Sequence, residues 1–543
     1  MNRRWISFGV WIALTAWGGL LAGGCGWKVW IWNWDWPRPQ PASAPASAPA
    51  GAPAMEPLPL QQSRVYSETV TGRFVSLCDF EDSPALPGHR QVDWFTISAK
   101  GGPDAAPAGK GKFVVNVTRT GAGAMEVSLP PQGRLVFSPQ EVHDFSGYTL
   151  LSMALYSEAL RDDLRVTLRT DKTAWTSPHT IVQIGWNTVL IDIQRLSRAA
   201  GFDTKAVRAI EIAFVDAAGH VMFNLDDIML IDNRRAIEPT PPGIKLLKSG
   251  LDYTLELPGR GPMRLSQSPD GLWRLGEDQP VVSIAAAGQP AAGWEDLEPM
   301  GPRRVGAVEL LEHNASRIRI ANTWYFPTQA GEWVSLAVRQ IRWDYTFYAD
   351  GRTVTGIEVN NAGGRAISSL RIRLLAPAAW SLGRRGSELL AAEFPGPVAR
   401  WSYLQSAPGP RQQALLESFM VPGRVQTTMG QVEHAAGDIR RDGFDESQGC
   451  YCLKADAAGH CRFTISPPPA PASQPASAAT RPAGVAAPVF LVAGDWKGAV
   501  RAQAMGRPIE PVTRVDEGHV LFVLPETVRY PVAIEVTPED SSP

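Results

Sequence analysis

Short alternations of apolar and polar residues, broken by turn residues, recur along most of this chain. Between residues 65 and 233 such runs fall at 74–78, 112–117, 134–137, 149–156, 164–169, 186–193, 209–214 and 221–231. A period of two sends alternate side chains to opposite faces of a strand. Short strands at this spacing predict a sandwich or barrel. Only residues 194–200 read as a helical turn. The most apolar run, VMFNLDDIMLIDN at 221–233, closes the set and encloses Asp226 and Asp227. A carboxylate buried in such a strand needs compensation, from a cation or from backbone N–H groups.

Past a Pro-rich break at 238–243 the predicted strands lengthen. Residues 253–257, 263–268 and 272–275 form a meander around Pro269-Asp270-Gly271. Residues 305–313 face 316–325, and 333–348 turn at Asp350-Gly351 to return over 353–360. Asp-Gly between alternating strands is a strong hairpin signal. Residues 368–375 add a strand, and 412–420 predict a short helix. Residues 450–455 and 461–465 predict a hairpin that carries Cys450, Cys452 and Cys461. Strands at 489–492, 499–504, 519–524 and 532–536 follow.

The pattern therefore predicts an all-β protein. Its expected parts are a signal or membrane anchor (1–26), a Trp-rich then Pro/Ala/Ser linker (27–60), a jelly-roll β-sandwich (61–236), a larger β-sandwich that includes the Cys hairpin (237–466), a second Pro/Ala linker (467–488) and a small C-terminal β-module (489–543).

Composition narrows the function. With 52 Lys and Arg against 54 Asp and Glu, the chain lacks the basic surplus of a nucleic-acid binder. Five cysteines are too few for a disulfide-built scaffold. One disulfide, Cys452–Cys461 or Cys450–Cys461, is expected in an oxidising compartment. Cys78 reads as a buried thiol. Nucleotide loops, HExxH zinc motifs and nucleophile elbows do not occur in the sequence.

Arg3 and Arg4 precede an uncharged run from Trp5 to Gly26, the order of a secretion signal. Residues 20–25, LLAGGC, resemble a bacterial lipobox, with Cys25 as the lipidated residue and Ala22 where that pattern usually has Leu. The run is also long enough for a retained transmembrane helix, and the tryptophans at 27, 30, 32, 34 and 36 suit a membrane interface. Lipidation, a retained helix and simple cleavage all place the rest of the chain outside the cytoplasm. The Pro/Ala/Ser tract would space the folded part from the membrane.

Four segments then acquire meaning together: Asp79-Phe80-Glu81, Asp144-Phe145-Ser146-Gly147-Tyr148, Gly185-Trp186-Asn187-Thr188-Val189 and Asn224-Leu225-Asp226-Asp227-Ile228. In this order they resemble the galactose-binding-like jelly rolls found among carbohydrate-binding modules. The resemblance implies a glycan ligand and, often, a structural calcium between first and last strands, with Glu81 at the early position and Asp226 or Asp227 at the late one. The other reading of these acids is backbone N–H capping at strand ends. Sugar stacking in such folds uses aromatic faces; Trp94, Tyr148, Tyr156 and Trp175 are the candidates, Trp175 first because its loop is polar. Residues 343–361, WDYTFYADGRTVTGIEVNN, resemble the large sandwich of the galactose mutarotase-like group.

Glu309, Glu312 and His313 cluster in sequence, as do Asp344, Tyr345 and Tyr348, but neither set carries a recognisable catalytic pattern. The sequence thus favours a membrane-anchored, extracytoplasmic, non-catalytic glycan-binding or envelope protein. A hydrolase or lyase acting from the large sandwich and a structural surface protein are the alternatives. The oligomeric state is not legible.

Overall fold

The computed structural model describes residues 58–59, 73–81, 91–98, 107–109, 111–196, 201–259, 262–266, 281–286, 295–297, 305–327, 338–361, 367–373, 381–385, 398–406, 409–468 and 484–539. The anchor segment with Cys25 lies outside these residues, as do most of both Pro/Ala tracts and the strand expected at 272–275. Among the described residues no helix is long and apolar enough to cross a membrane. The described chain is nearly all β, and its longest helix is Gln412–Met420.

Two sheets form the first sandwich. In one, Val221–Asp232 is central, with Leu150–Ser157 and then Gly185–Asp192 on one side. On its other side the neighbour changes along its length: Ala124–Leu129 pairs with its first half and Arg73–Cys78 with its second. In the second sheet Arg161–Arg169, Ala209–Phe214, Arg134–Phe137 and Phe95–Ser98 lie side by side. Ala174–Thr176 and Thr180–Val182 both pair with Arg161–Arg169. Leu155, Leu225 and Leu230 from the first sheet meet Val166, Leu168 and Ile212 from the second in one core. Alternation explains this: Leu164, Val166 and Leu168 point in, while Arg165, Thr167 and Arg169 point out.

Val221–Asp232 is buried almost throughout, for a reason beyond its own sandwich. Its second half packs outward as well, where Leu150, Met229 and Ile231 form a separate cluster with Leu251 of the next region. Asn233 fastens the junction. Its Oδ1 accepts from Gly250 N (2.6 Å) and from Thr149 Oγ1 (2.7 Å), and its Nδ2 donates to Gly250 O (3.0 Å).

The larger sandwich combines a four-stranded sheet, Arg235–Ile237 to Met263–Ser266, with a six-stranded sheet built on Arg317–Pro327, Val338–Tyr348, Arg352–Asn361 and Val398–Ser406. Leu246, Leu255, Trp343, Tyr345, Phe347 and Tyr403 share its core. The hairpin turns at Asp350-Gly351, where Gly351 takes φ +83° and its N–H donates to Tyr348 O (3.0 Å).

The third sandwich corrects two sequence expectations. Cys450–Lys454 and Cys461–Ser466 are joined by the expected turn but enter different sheets. Cys450–Lys454 pairs in parallel with Val489–Ala493, and Cys461–Ser466 pairs with Val532–Pro538. The Cys segment therefore belongs with the C-terminal strands in one core, containing Cys450, Cys461, Phe490, Phe522 and Val536, rather than with the larger sandwich. A boundary at the second Pro/Ala tract cuts through this fold. The physical reason is that apolar strands on both sides of the tract have one inner face to bury between them.

Candidate functional site

Two places in the first sandwich gather chemistry. The first is the acidic pair. Register slips between Asp226 and Met229, where the neighbouring strand changes, and Asp227 adopts φ +48° at this bulge. The loop at residues 119–123 folds over it. Asp226 Oδ2 accepts from Arg119 N (2.8 Å) and Thr120 N (3.3 Å), and its Oδ1 accepts from Asp227 N (2.8 Å). Thr120 Oγ1 donates to Asp227 Oδ1 (2.8 Å). Glu81 Oε1 accepts from Ala122 N (2.7 Å) and Gly123 N (3.3 Å) of the same loop. Gly121, at φ +54°, lies so close to this carboxylate that a Cβ would fall 1.7 Å from Oε1.

Burial, and then the neighbouring charge of Asp227, push the Asp226 carboxyl up to about 8. The three N–H donors oppose that rise but do not cancel it. Asp226 thus retains its proton near neutrality. Calcium takes six to eight oxygens that converge on one point. Here Glu81 Oε1 and both carboxylate oxygens of Asp226 accept from backbone N–H groups, and no group of three or more His, Cys, Asp or Glu side chains among the described residues is arranged to hold a metal. The donor set as folded is a clamp on carboxylates and does not fit a calcium ion.

The second place is the outward face of the sheet that contains Ala209–Phe214. Residues paired in register share a face, so Thr96, Val136, Glu211, Thr167 and Thr176 form one row across it. Ser98, Arg134, Ala213 and Arg165 form the next row. Glu211 lies at the centre, 4% exposed, covered by Arg134 (Nη1 to Oε2, 3.0 Å) and by Arg169, whose Nε and Nη2 both reach it. Arg165 has a different partner: its Nη2 meets His179 Nε2. Arg165 Nε and His179 Nδ1 are buried without a hydrogen-bond partner. Ala209 and Ala213 supply only methyl groups, which leaves a shallow floor between the arginines.

The aromatic candidates lie elsewhere. Trp175 pairs with Leu168, which belongs to the core, so its indole turns inward. Trp94, Tyr148 and Trp175 are all partly buried and packed against the core of this sandwich. Tyr156 meets Trp186 edge to face at 5.6 Å on the other sheet. Cys78, Cys450, Cys452 and Cys461 are buried free thiols.

On the large sheet, Arg342, Glu358 and Arg400 lie in one row and Asp344 in the next. Each carboxylate is taken by an arginine: Asp344 by Arg342 Nε (2.8 Å) and Glu358 by Arg400 Nε (2.7 Å). Glu312 is buried and holds Arg317, while His313 is exposed and turns Nδ1 to Pro239 O (3.4 Å). Glu312, Asp344 and Glu358 are thus each engaged by an arginine, and Arg317 links Glu312 to Tyr348.

No protein-family model and no curated protein matches this chain. Among solved structures it is similar to a family 30 carbohydrate-binding module of a cellulosomal cellulase from Clostridium thermocellum, at 16% identity over 29% of this chain and 96% of that one, with TM-score 0.23. It is also similar to a family 11 carbohydrate-binding module from Clostridium thermocellum in complex with a β-1,3-1,4-mixed-linked tetrasaccharide, at 16% identity over 29% and 95%, with TM-score 0.20. A β-1,2-glucanase from Parabacteroides distasonis matches at 12% identity over 56% of this chain and 39% of that one, with TM-score 0.22. TM-scores of this size leave the functional reading to the residues of the site.

Proposed function

We propose that this chain binds glycans, without transforming them, across the outward face of the sheet that contains Ala209–Phe214. We further propose that its N-terminal stretch holds the folded part on the outer side of a membrane. The observation that carries the first reading is the register of that face. It sets Arg134, Arg165, Arg169, Glu211, Thr167 and Thr176 on adjacent strands around two alanines. A saccharide presents hydroxyl groups that both donate and accept, and Arg, Glu and Thr offer complementary partners in fixed positions. The alanine floor lets a flat sugar ring approach the backbone closely. Trp175 turns inward, so this reading rests on hydrogen bonding rather than stacking.

The ion-paired state of Asp344 and Glu358 supports a binding role over hydrolysis, which needs two carboxyl groups facing a bond. The membrane reading is supported by Arg3, Arg4 and the uncharged run that follows, with Cys25 either lipidated or part of a retained helix.

The test is binding of the detergent-solubilised full chain to a glycan array, alongside the variant Ala213→Trp. The indole would fill the floor from outside and leave the core untouched. Binding by the natural chain that disappears in the variant, with thermal unfolding unchanged, is expected. Binding that survives Ala213→Trp puts the site elsewhere, and absence of binding to every glycan sinks the reading.

A further inference from the structure

We infer that the glycan taken by this face is acidic: a polysaccharide with uronic-acid carboxylates, one of which is held over Ala213 between Arg134 and Arg165. The inference rests on the glycan-binding reading and specifies its ligand. Arg134, Ala213 and Arg165 are successive partners in one register row, so the two arginines flank the alanine on the same side of the sheet. Their Cα atoms stand two strand spacings apart, about 10 Å. Arg134 reaches Glu211 and Arg165 reaches His179 as folded; swung over Ala213, whose methyl group stands low, the two can close on a single carboxylate.

The charge count points the same way. Three guanidiniums, Arg134, Arg165 and Arg169, share this face, and the Glu211 carboxylate pairs with two of them, Arg134 and Arg169. Arg134 gives Nη1 to Glu211 and keeps its remaining N–H groups. Among the described residues no carboxylate lies within ion-pair distance of Arg165; its neighbour is the His179 ring, and its Nε has no partner at all. With Nη2 on His179 and Nε buried, Arg165 keeps Nη1 for a ligand, and a guanidinium N–H makes a charge-assisted hydrogen bond to a carboxylate. A neutral hydroxyl would leave the surplus charge uncompensated. Beside the row, the Thr167 and Thr176 hydroxyls stand 2.9 Å apart, available to the hydroxyls of the same sugar chain.

The experiment uses the detergent-solubilised full chain and three matched probes: an oligouronate, the same oligosaccharide with its carboxyl groups reduced to alcohols, and a sulfated oligosaccharide. Titration calorimetry at low salt reads the affinity. The oligouronate is expected to bind at least tenfold more tightly than its reduced form. Arg165→Gln is expected to remove that advantage, so that the oligouronate and its reduced form bind alike, with thermal unfolding unchanged. Ala213→Asp, which puts a fixed carboxylate on the floor, is expected to abolish oligouronate binding. Equal binding of the oligouronate and its reduced form overturns the inference and leaves the glycan-binding reading intact. Preference for the sulfated probe over the oligouronate overturns the carboxylate assignment. Failure of all three probes, with no glycan found on the array, takes down both readings together.

Discussion

Arg317 is the largest fully buried side chain of the molecule's described part, and its charge makes a quantitative prediction. Its Nε and Nη2 each donate to Glu312 at 2.8 Å, with the two side chains 1% and 5% exposed. Asn314 braces the pair by donating to Glu312 Oε1 (2.7 Å) and accepting from Arg317 N (2.9 Å). Arg317 Nη1 reaches the Tyr348 hydroxyl (3.4 Å), which donates in turn to Gln448 O (2.6 Å) of the C-terminal sandwich. Arg317→Met strands the Glu312 carboxylate in a dry site, at a cost of about 3–5 kcal/mol. The lower end is expected, because Arg319 Nη1 stands 3.9 Å from Glu312 and can partly replace the lost charge. Removing both charges, Arg317→Met with Glu312→Leu, strands no charge and leaves only the Asn314 amide without its acceptor. The double variant is therefore expected within about 1–2 kcal/mol of the natural chain. In a sandwich of this size the single variant should lower its melting transition by on the order of 10 °C. Calorimetry of the full chain reads this from the one transition that moves, since three sandwiches need not melt together. A double variant as unstable as Arg317→Met would refute the reasoning, because the loss would then come from packing rather than from an abandoned charge.

The remaining predictions concern the first sandwich. Because the folded Asp226 carboxyl titrates near 8 rather than at the usual 3.8, the fold holds a proton that the unfolded chain releases. Its stabilisation is complete below about pH 4 and lost as pH rises toward 8. Melting temperature should fall across that window, and Asp226→Asn should flatten the slope; an unchanged slope would place the titration elsewhere. A chelator is expected to leave this transition in place, and a drop of several degrees would put a cation at the pair after all. Trp175→Ala should cost roughly 1–3 kcal/mol of stability, less than a fully buried Trp, with little change in glycan binding. Lost binding at unchanged stability would return Trp175 to the ligand.

What could be read from the chain was local. The alternation at 164–169 and the Asp-Gly turn at 350–351 specify a strand and a hairpin without help from distant residues, and both are present. The acidic pair announced its need for compensation; N–H groups met it, from a loop about 100 residues away in sequence, which no pattern shows. The same holds for the arginine face. Glu211 meets Arg169 across 42 residues and Arg134 across 77, so their meeting is a fact of strand order. Trp175 did carry a readable signal: Ala174 and Thr176 on either side are exposed, and alternation turns the residue between them inward. The Cys segment was misread because its turn is real, with Gly459 N donating to Asp456 O (3.0 Å), while its strands separate beyond it.

The double-sided burial of Val221–Asp232 bears on how such a chain can be assembled over generations. A sandwich domain is often pictured as a bead that recombination can move from one string to another. This one has a scar where it would be cut. Excised after Asn233, it would bare Leu150, Met229 and Ile231 to water and leave the Asn233 amide without Gly250. The unit that can be inherited intact therefore runs on into the larger sandwich, whose strands Lys245–Ser249 and Asp252–Glu256 carry Gly250 and Leu251 to the junction while burying Leu246 and Leu255 in their own core.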